Sequence, residues 1–145
     1  MGRQRSVGRR RVVLATLLIA AAVGLAGAAA ASTTGTVPAA IVGCWSRHVG
    51  ALPVGTGPGV WLVKITKAGR LAAYTPGSTK CDADSDFTAT VSVAGSHLTI
   101  GPVPVCGTKG LYSWKASGNT LTLQAVAEKS CAPRRLLFTG VWRKK

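Results

Sequence analysis

The most regular pattern in the chain is the run DFTATVSV at residues 86–93, where Phe87, Ala89, Val91 and Val93 alternate with Thr88, Thr90 and Ser92. A period of two places the first set on one face of a β-strand and the second on the other. Similar short alternations recur from Ile41 onward: IVGCWSR (41–47), VWLVKIT (60–66), LAAYT (71–75), LTIGPV (98–103), LYSWKA (111–116), LTLQAVA (121–127) and RLLFTGVWR (135–143). No helix is expected in this part of the chain. Eight short strands separated by turn residues predict an all-β barrel or sandwich.

The connections between these strands are of two kinds. Tight glycine turns fall at KAGR (67–70), AGSH (94–97) and SGNT (117–120), while the segments 48–59, 76–85, 104–110 and 128–134 are longer. In an antiparallel meander, alternate connections lie at alternate ends. One end is therefore closed by tight turns and the other is an elaborated mouth, the layout of an eight-stranded antiparallel up-and-down barrel. Closing such a barrel requires the last strand to pair with the first, which removes both exposed edges. That closure sets Gly43-x-Trp45 and Gly140-x-Trp142 side by side. Glycine permits close approach of a backbone or a ring, and tryptophan plugs the narrow end of the barrel.

Gly43-x-Trp45 on a first strand, with Arg143 on a last one, resembles the calycin pattern and specifically the lipocalins. The stretches YSWKASGNTLTL (112–123) and CAPRRLLFTGVWR (131–143) are similar to small exported bacterial lipocalin-like domains, and the resemblance spans about residues 41–143. It implies that Trp45 packs under Arg143 in a cation–π contact that seals the closed end. A barrel of eight strands is wide enough either to be filled by side chains or to hold one small ligand. Period-two parity places Arg143 on the face opposite Phe138 and Trp142.

Residues 1–31 have a different composition. MGRQRSVGRRR carries five arginines and no acid, a long alanine-rich apolar run follows, and Ala29-Ala30-Ala31 precedes Ser32. This is the pattern of an export signal cleaved near Ser32. An uncleaved signal anchor is the alternative, since Val12 to Ala31 is long enough to span a bilayer. RRRVV (9–13) resembles a twin-arginine signal, so both the general and the twin-arginine export routes stay open. Residues 32–40, STTGTVPAA, read as a linker, which leaves 41–145 as the barrel domain.

All four cysteines, Cys44, Cys81, Cys106 and Cys131, follow the signal. In a small exported domain this predicts two disulfides, and no pair has the close spacing of a zinc site. Cys81 and Cys106 fall in successive mouth loops and Cys131 in the last, beside strand one. The layout favours Cys81–Cys106 with Cys44–Cys131 among the three pairings.

The formal charge of +14 becomes 14 − 5 = +9 without the five signal arginines. Such an excess predicts attraction to an anionic envelope surface or an acidic protein. The bases, among them Lys64, Lys67, Arg70, Lys80, Lys109 and Lys115, are scattered as expected for solvated strand faces, so nucleic acid is not expected as a partner.

Little in the sequence points to catalysis. His48 and His97 are expected at opposite ends and in solvent. Asp82, Asp84 and Asp86 begin like a calcium loop, but Phe87 and Val93 stand where glycine and glutamate are required. Glu128 stands alone. The expectation is a monomeric, non-enzymatic protein with no cofactor and no metal. Trp61, Phe87, Tyr112, Trp114 and Phe138 are the candidate pocket, because period-two parity turns them inward. A secreted binding protein for a small apolar or amphipathic ligand follows. The alternative is a secreted protein-interaction module such as a protease or lysozyme inhibitor, whose basic loops suit an acidic partner.

Overall fold

A computed structural model describes residues 36–145 apart from positions 83 and 129. The expected export signal and the first part of the linker lie outside the described residues. Eight strands run in sequence order around a closed antiparallel barrel. They are β1 (Gly43–Val49), β2 (Gly59–Ile65), β3 (Arg70–Tyr74), β4 (Phe87–Ala94), β5 (His97–Ile100), β6 (Gly110–Ser117), β7 (Thr120–Ala127) and β8 (Gly140–Lys144). The alternation read in β4 holds: Ala89 and Val91 are buried while Thr88, Thr90 and Ser92 are exposed.

Barrel closure takes the expected form. Strand β8 pairs with β1 through Trp45 opposite Lys144 and Ser46 opposite Arg143. The Lys145 N–H adds a bond of 3.0 Å to the Cys44 carbonyl. The tight turns β2–β3, β4–β5 and β6–β7 share one end, which is filled from inside by Trp45, Trp142 and Ile41. Ile41 arrives on a single 3-10 turn, Ala39–Ile41, whose last carbonyl accepts the Trp45 indole N–H at 2.9 Å.

The contact implied between Trp45 and Arg143 does not form. Arg143 is opposite Ser46, and its side chain is exposed on the outer face. Parity is the reason: Trp142 is buried inside the barrel, so its strand neighbour points out. Lys144, directly opposite Trp45, supplies the cation instead, with Nζ 5.6 Å from the ring centroid.

The mouth differs from expectation in two ways. First, the segment expected as the early part of strand eight is a helix, α1 (Ala132–Phe138). Pro133 suits its first turn, and the Cys131 sulfur caps it by accepting from the Arg134 N–H at 3.3 Å. Arg134, Leu137 and Phe138 are its buried residues, a spacing of i, i+3, i+4 that makes one face of a helix. Phe138 therefore faces the core from a helix, while Trp142 faces it from β8.

Second, the disulfides are Cys44–Cys81 and Cys106–Cys131. Cys44 alternates with the inward Trp45 and so lies on the outer wall, where a mouth-bound Cys131 has no access to it. The loop after β3 folds back down that wall instead. It covers Leu62 and Tyr74, which form a small second core with Cys81 outside the barrel. The Tyr74 hydroxyl fixes the fold-back by donating to the Cys81 carbonyl at 3.0 Å. Cys106 and Cys131 remain at the mouth, where they tie the β5–β6 loop to the cap of α1.

Candidate functional site

The barrel interior is packed below and hollow above. An aromatic column of Trp142, Phe138 and Tyr112 leads up from the closed end, with ring centroids 6.4 Å and 6.3 Å apart. At the mouth a cavity of about 260 Å³ remains, walled by Leu52, Trp61, Phe87, Val103, Leu137 and Phe138. Thr56, Thr75, Asp86 and Arg134 contribute the polar part of its wall. Val54 and Val105, both exposed, stand at its rim.

Three of the five expected pocket residues thus come together: Trp61, Phe87 and Phe138. Tyr112 and Trp114 do not join them. Trp114 lies at the opposite end, where its indole N–H donates to the Gly95 carbonyl at 3.1 Å in the β4–β5 turn. Parity turned it to the correct face, but its height along β6 puts it beside the tight turns. Tyr112 is completely buried, and its hydroxyl donates to Glu128 Oε2 at 2.9 Å.

Glu128 is not alone. It receives a bidentate pair from Arg134, with Nε to Oε2 at 2.7 Å and Nη2 to Oε1 at 2.8 Å. Arg134 Nη1 donates to the carbonyls of Gly101, at 3.2 Å, and Thr108. Glu128 is 4% exposed and Arg134 1%. Two charges this deep are tolerable because each satisfies the other and the remaining donors reach carbonyls. Gly110 makes room for the pair, since a side chain there would meet the Glu128 carboxylate. The hydrogen bond to Glu128 raises the Arg134 pKa. Burial, and then the neighbouring Glu128, push the Tyr112 hydroxyl well above its ordinary value.

The network joins the β5–β6 loop, β6, the segment after β7 and α1, and so fixes one wall of the cavity. The signal for it in the sequence is weak. Pro133 followed by Arg134, Leu137 and Phe138 at helical spacing marks α1, but nothing local pairs Arg134 with Glu128.

Asp86 holds the other side of the mouth. Its carboxylate accepts from the Thr75 N–H at 2.6 Å and the Thr75 hydroxyl at 3.1 Å, closing the base of the β3–β4 loop. Among the described residues no three or more His, Cys, Asp or Glu side chains converge as a metal site. His48 is the penultimate residue of β1 rather than part of the first loop, and His97 opens β5; both are exposed. No helix among the described residues is long and apolar enough to cross a membrane. Compared with protein-family models, with curated proteins and with solved structures, the chain matches none.

Proposed function

We propose that the protein is a secreted, lipocalin-like binding barrel that takes a small apolar molecule into its mouth. The observation that carries this reading is the cavity of about 260 Å³ walled by Trp61, Phe87 and Phe138. A concave apolar site with a few fixed polar groups is what small-molecule recognition requires. The barrel beneath is filled, so the ligand rests on Phe138 rather than running the length of the interior. Two disulfides support an oxidising compartment.

Titration of the oxidised protein with small aromatic and alicyclic compounds, followed by tryptophan fluorescence, tests the reading. The expected result is saturable quenching that weakens in Phe87→Ala, a cavity residue, and persists in Lys115→Ala, on the barrel exterior. A flat response across the panel sinks it. A second reading, a protein-interaction module, is favoured by the exposed Val54 and Val105 at the rim. Retention of an acidic protein that is lost in Val54→Asp would support that one.

A further inference from the structure

Strand β8 pairs with β1 at Trp45 and Ser46. Further toward the mouth, the end of α1 stands beside β1 instead. Arg47 Nη1 holds it there by donating to the Leu136 and Leu137 carbonyls at 3.1 and 2.7 Å. A shallow groove opens to solvent at this place, lined by Arg47, Gln124, Ala125, Arg135, Leu136 and Thr139.

The groove holds two guanidinium groups and no acid. None of the four acidic residues of the chain lines it. The ion pair formed among the described residues, Glu128 with Arg134, lies elsewhere. Arg135 is exposed and Arg47 half-buried. With Nη1 committed to α1, Arg47 keeps Nε and Nη2. These donate to no acceptor among the described residues, and neither is shut off from solvent. Gly140 keeps their surroundings clear, since a side chain there would stand 2.7 Å from Nε and 2.9 Å from Nη2. Burial lowers the Arg47 pKa, the effect of desolvation on a cation with no carboxylate beside it.

The Nε and Nη2 groups of an arginine form a rigid fork that matches two oxygens of an oxyanion. A planar carboxylate turns both its oxygens to one fork. A tetrahedral phosphate splays its oxygens and can engage two guanidinium groups at once. The exposed Gln124 amide adds a neutral donor to the same groove. We propose that this groove binds the phosphate group of an anionic ligand, held by Arg47 Nε and Nη2, the Arg135 guanidinium and the Gln124 amide. The site is distinct from the mouth cavity and does not depend on that cavity taking a ligand.

Titration of the oxidised protein with inorganic phosphate and with acetate, at constant ionic strength, tests the site. Arginine Nε–Cζ spectra of the unmutated protein give the readout. Phosphate should shift the Arg47 and Arg135 resonances saturably, and acetate should bind more weakly. Arg135→Gln removes an exposed side chain and should weaken phosphate about fivefold, as for an exposed ion pair. Lys67→Ala removes the same charge from the β2–β3 turn, at the closed end, and should leave the affinity unchanged. Co-sedimentation with phosphatidylglycerol vesicles separates two sources of the phosphate. Retention that is lost in Arg135→Gln assigns a lipid headgroup, and no retention beside saturable phosphate shifts assigns a soluble phosphate ester. Unmoved Arg47 and Arg135 resonances, acetate binding as tightly as phosphate, or equal weakening by Arg135→Gln and Lys67→Ala would overturn the proposal.

Discussion

The Lys144 ammonium lies 5.6 Å from the centroid of the Trp45 ring, and the relationship is reciprocal, because the Arg47 guanidinium lies 6.0 Å from that of Trp142. Two segments of the form Gly-x-Trp-x-cation, Gly43 to Arg47 and Gly140 to Lys144, run antiparallel across the seam of the barrel, each lending its cation to the other's indole. Both glycines have positive φ, +140° and +133°. A side chain on Gly43 would crowd Lys144 Cε at 3.3 Å, and one on Gly140 would meet Arg47 Cζ at 2.7 Å. The two indoles even share a partner rule, each donating to the carbonyl four residues earlier.

The two cations are not equivalent. Arg47 also donates to the Leu136 and Leu137 carbonyls, at 3.1 and 2.7 Å, and so ties the end of α1 to β1. Among the described residues the Lys144 side chain makes no hydrogen bond and contributes its ring contact. Arg47→Ala is expected to cost about 1.5–3 kcal/mol, as for charged hydrogen bonds, and Lys144→Ala about 0.5–1 kcal/mol, as for an exposed cation–π contact. Urea unfolding midpoints of the two variants check the order.

Glu128→Gln leaves the Arg134 guanidinium buried without its counter-charge. The expected loss is about 3–5 kcal/mol. The paired replacement Glu128→Leu with Arg134→Met removes both charges and should lose less than the sum of the single variants. A double-mutant cycle by urea unfolding measures the coupling. Additive losses would show that the pair does not act as a unit.

The disulfides should separate stability from binding. Removing either bridge by paired Cys→Ala substitution is expected to cost about 2–4 kcal/mol. Cys106–Cys131 anchors the cap of α1, which carries Leu137 and Phe138 into the cavity wall. Cys44–Cys81 pins a loop to the outer wall, over the small second core. Loss of Cys106–Cys131 should therefore weaken ligand affinity more than loss of Cys44–Cys81, as calorimetry on the two paired variants would show.

Stability should fall in alkali. Tyr112 is held neutral in the folded state by burial and by Glu128, with its pKa raised, whereas unfolding returns it to a value near 10. The folded chain thus holds this proton more tightly than the unfolded one. The corresponding stability is complete below about pH 10 and is lost as pH rises further. Urea unfolding between pH 8 and pH 11 should show that decline, with a smaller slope in Tyr112→Phe.

By itself the sequence determined the barrel, because its information about strands is local. Alternation in segments such as 86–93 selects an inner and an outer face, and glycine turns such as AGSH select hairpins, without reference to distant residues. The order of short and long connections then implies one closed end, one open end and a seam between the two Gly-x-Trp segments. What only the tertiary structure decided lies in the long connections. The segment 135–143 alternates well enough to read as one strand, yet Leu137 and Phe138 gain more by turning inward from a helix across the mouth. Cys81 leaves the mouth because Leu62 and Tyr74, on the outer wall, need cover that the strand pattern does not reveal. Glu128 and Arg134 have no shared local signal at all. Their partnership exists because a buried charge must find its opposite wherever the chain brings one within reach. The cavity is set by the same loop packing, so its wall could be only partly read from residues that point inward.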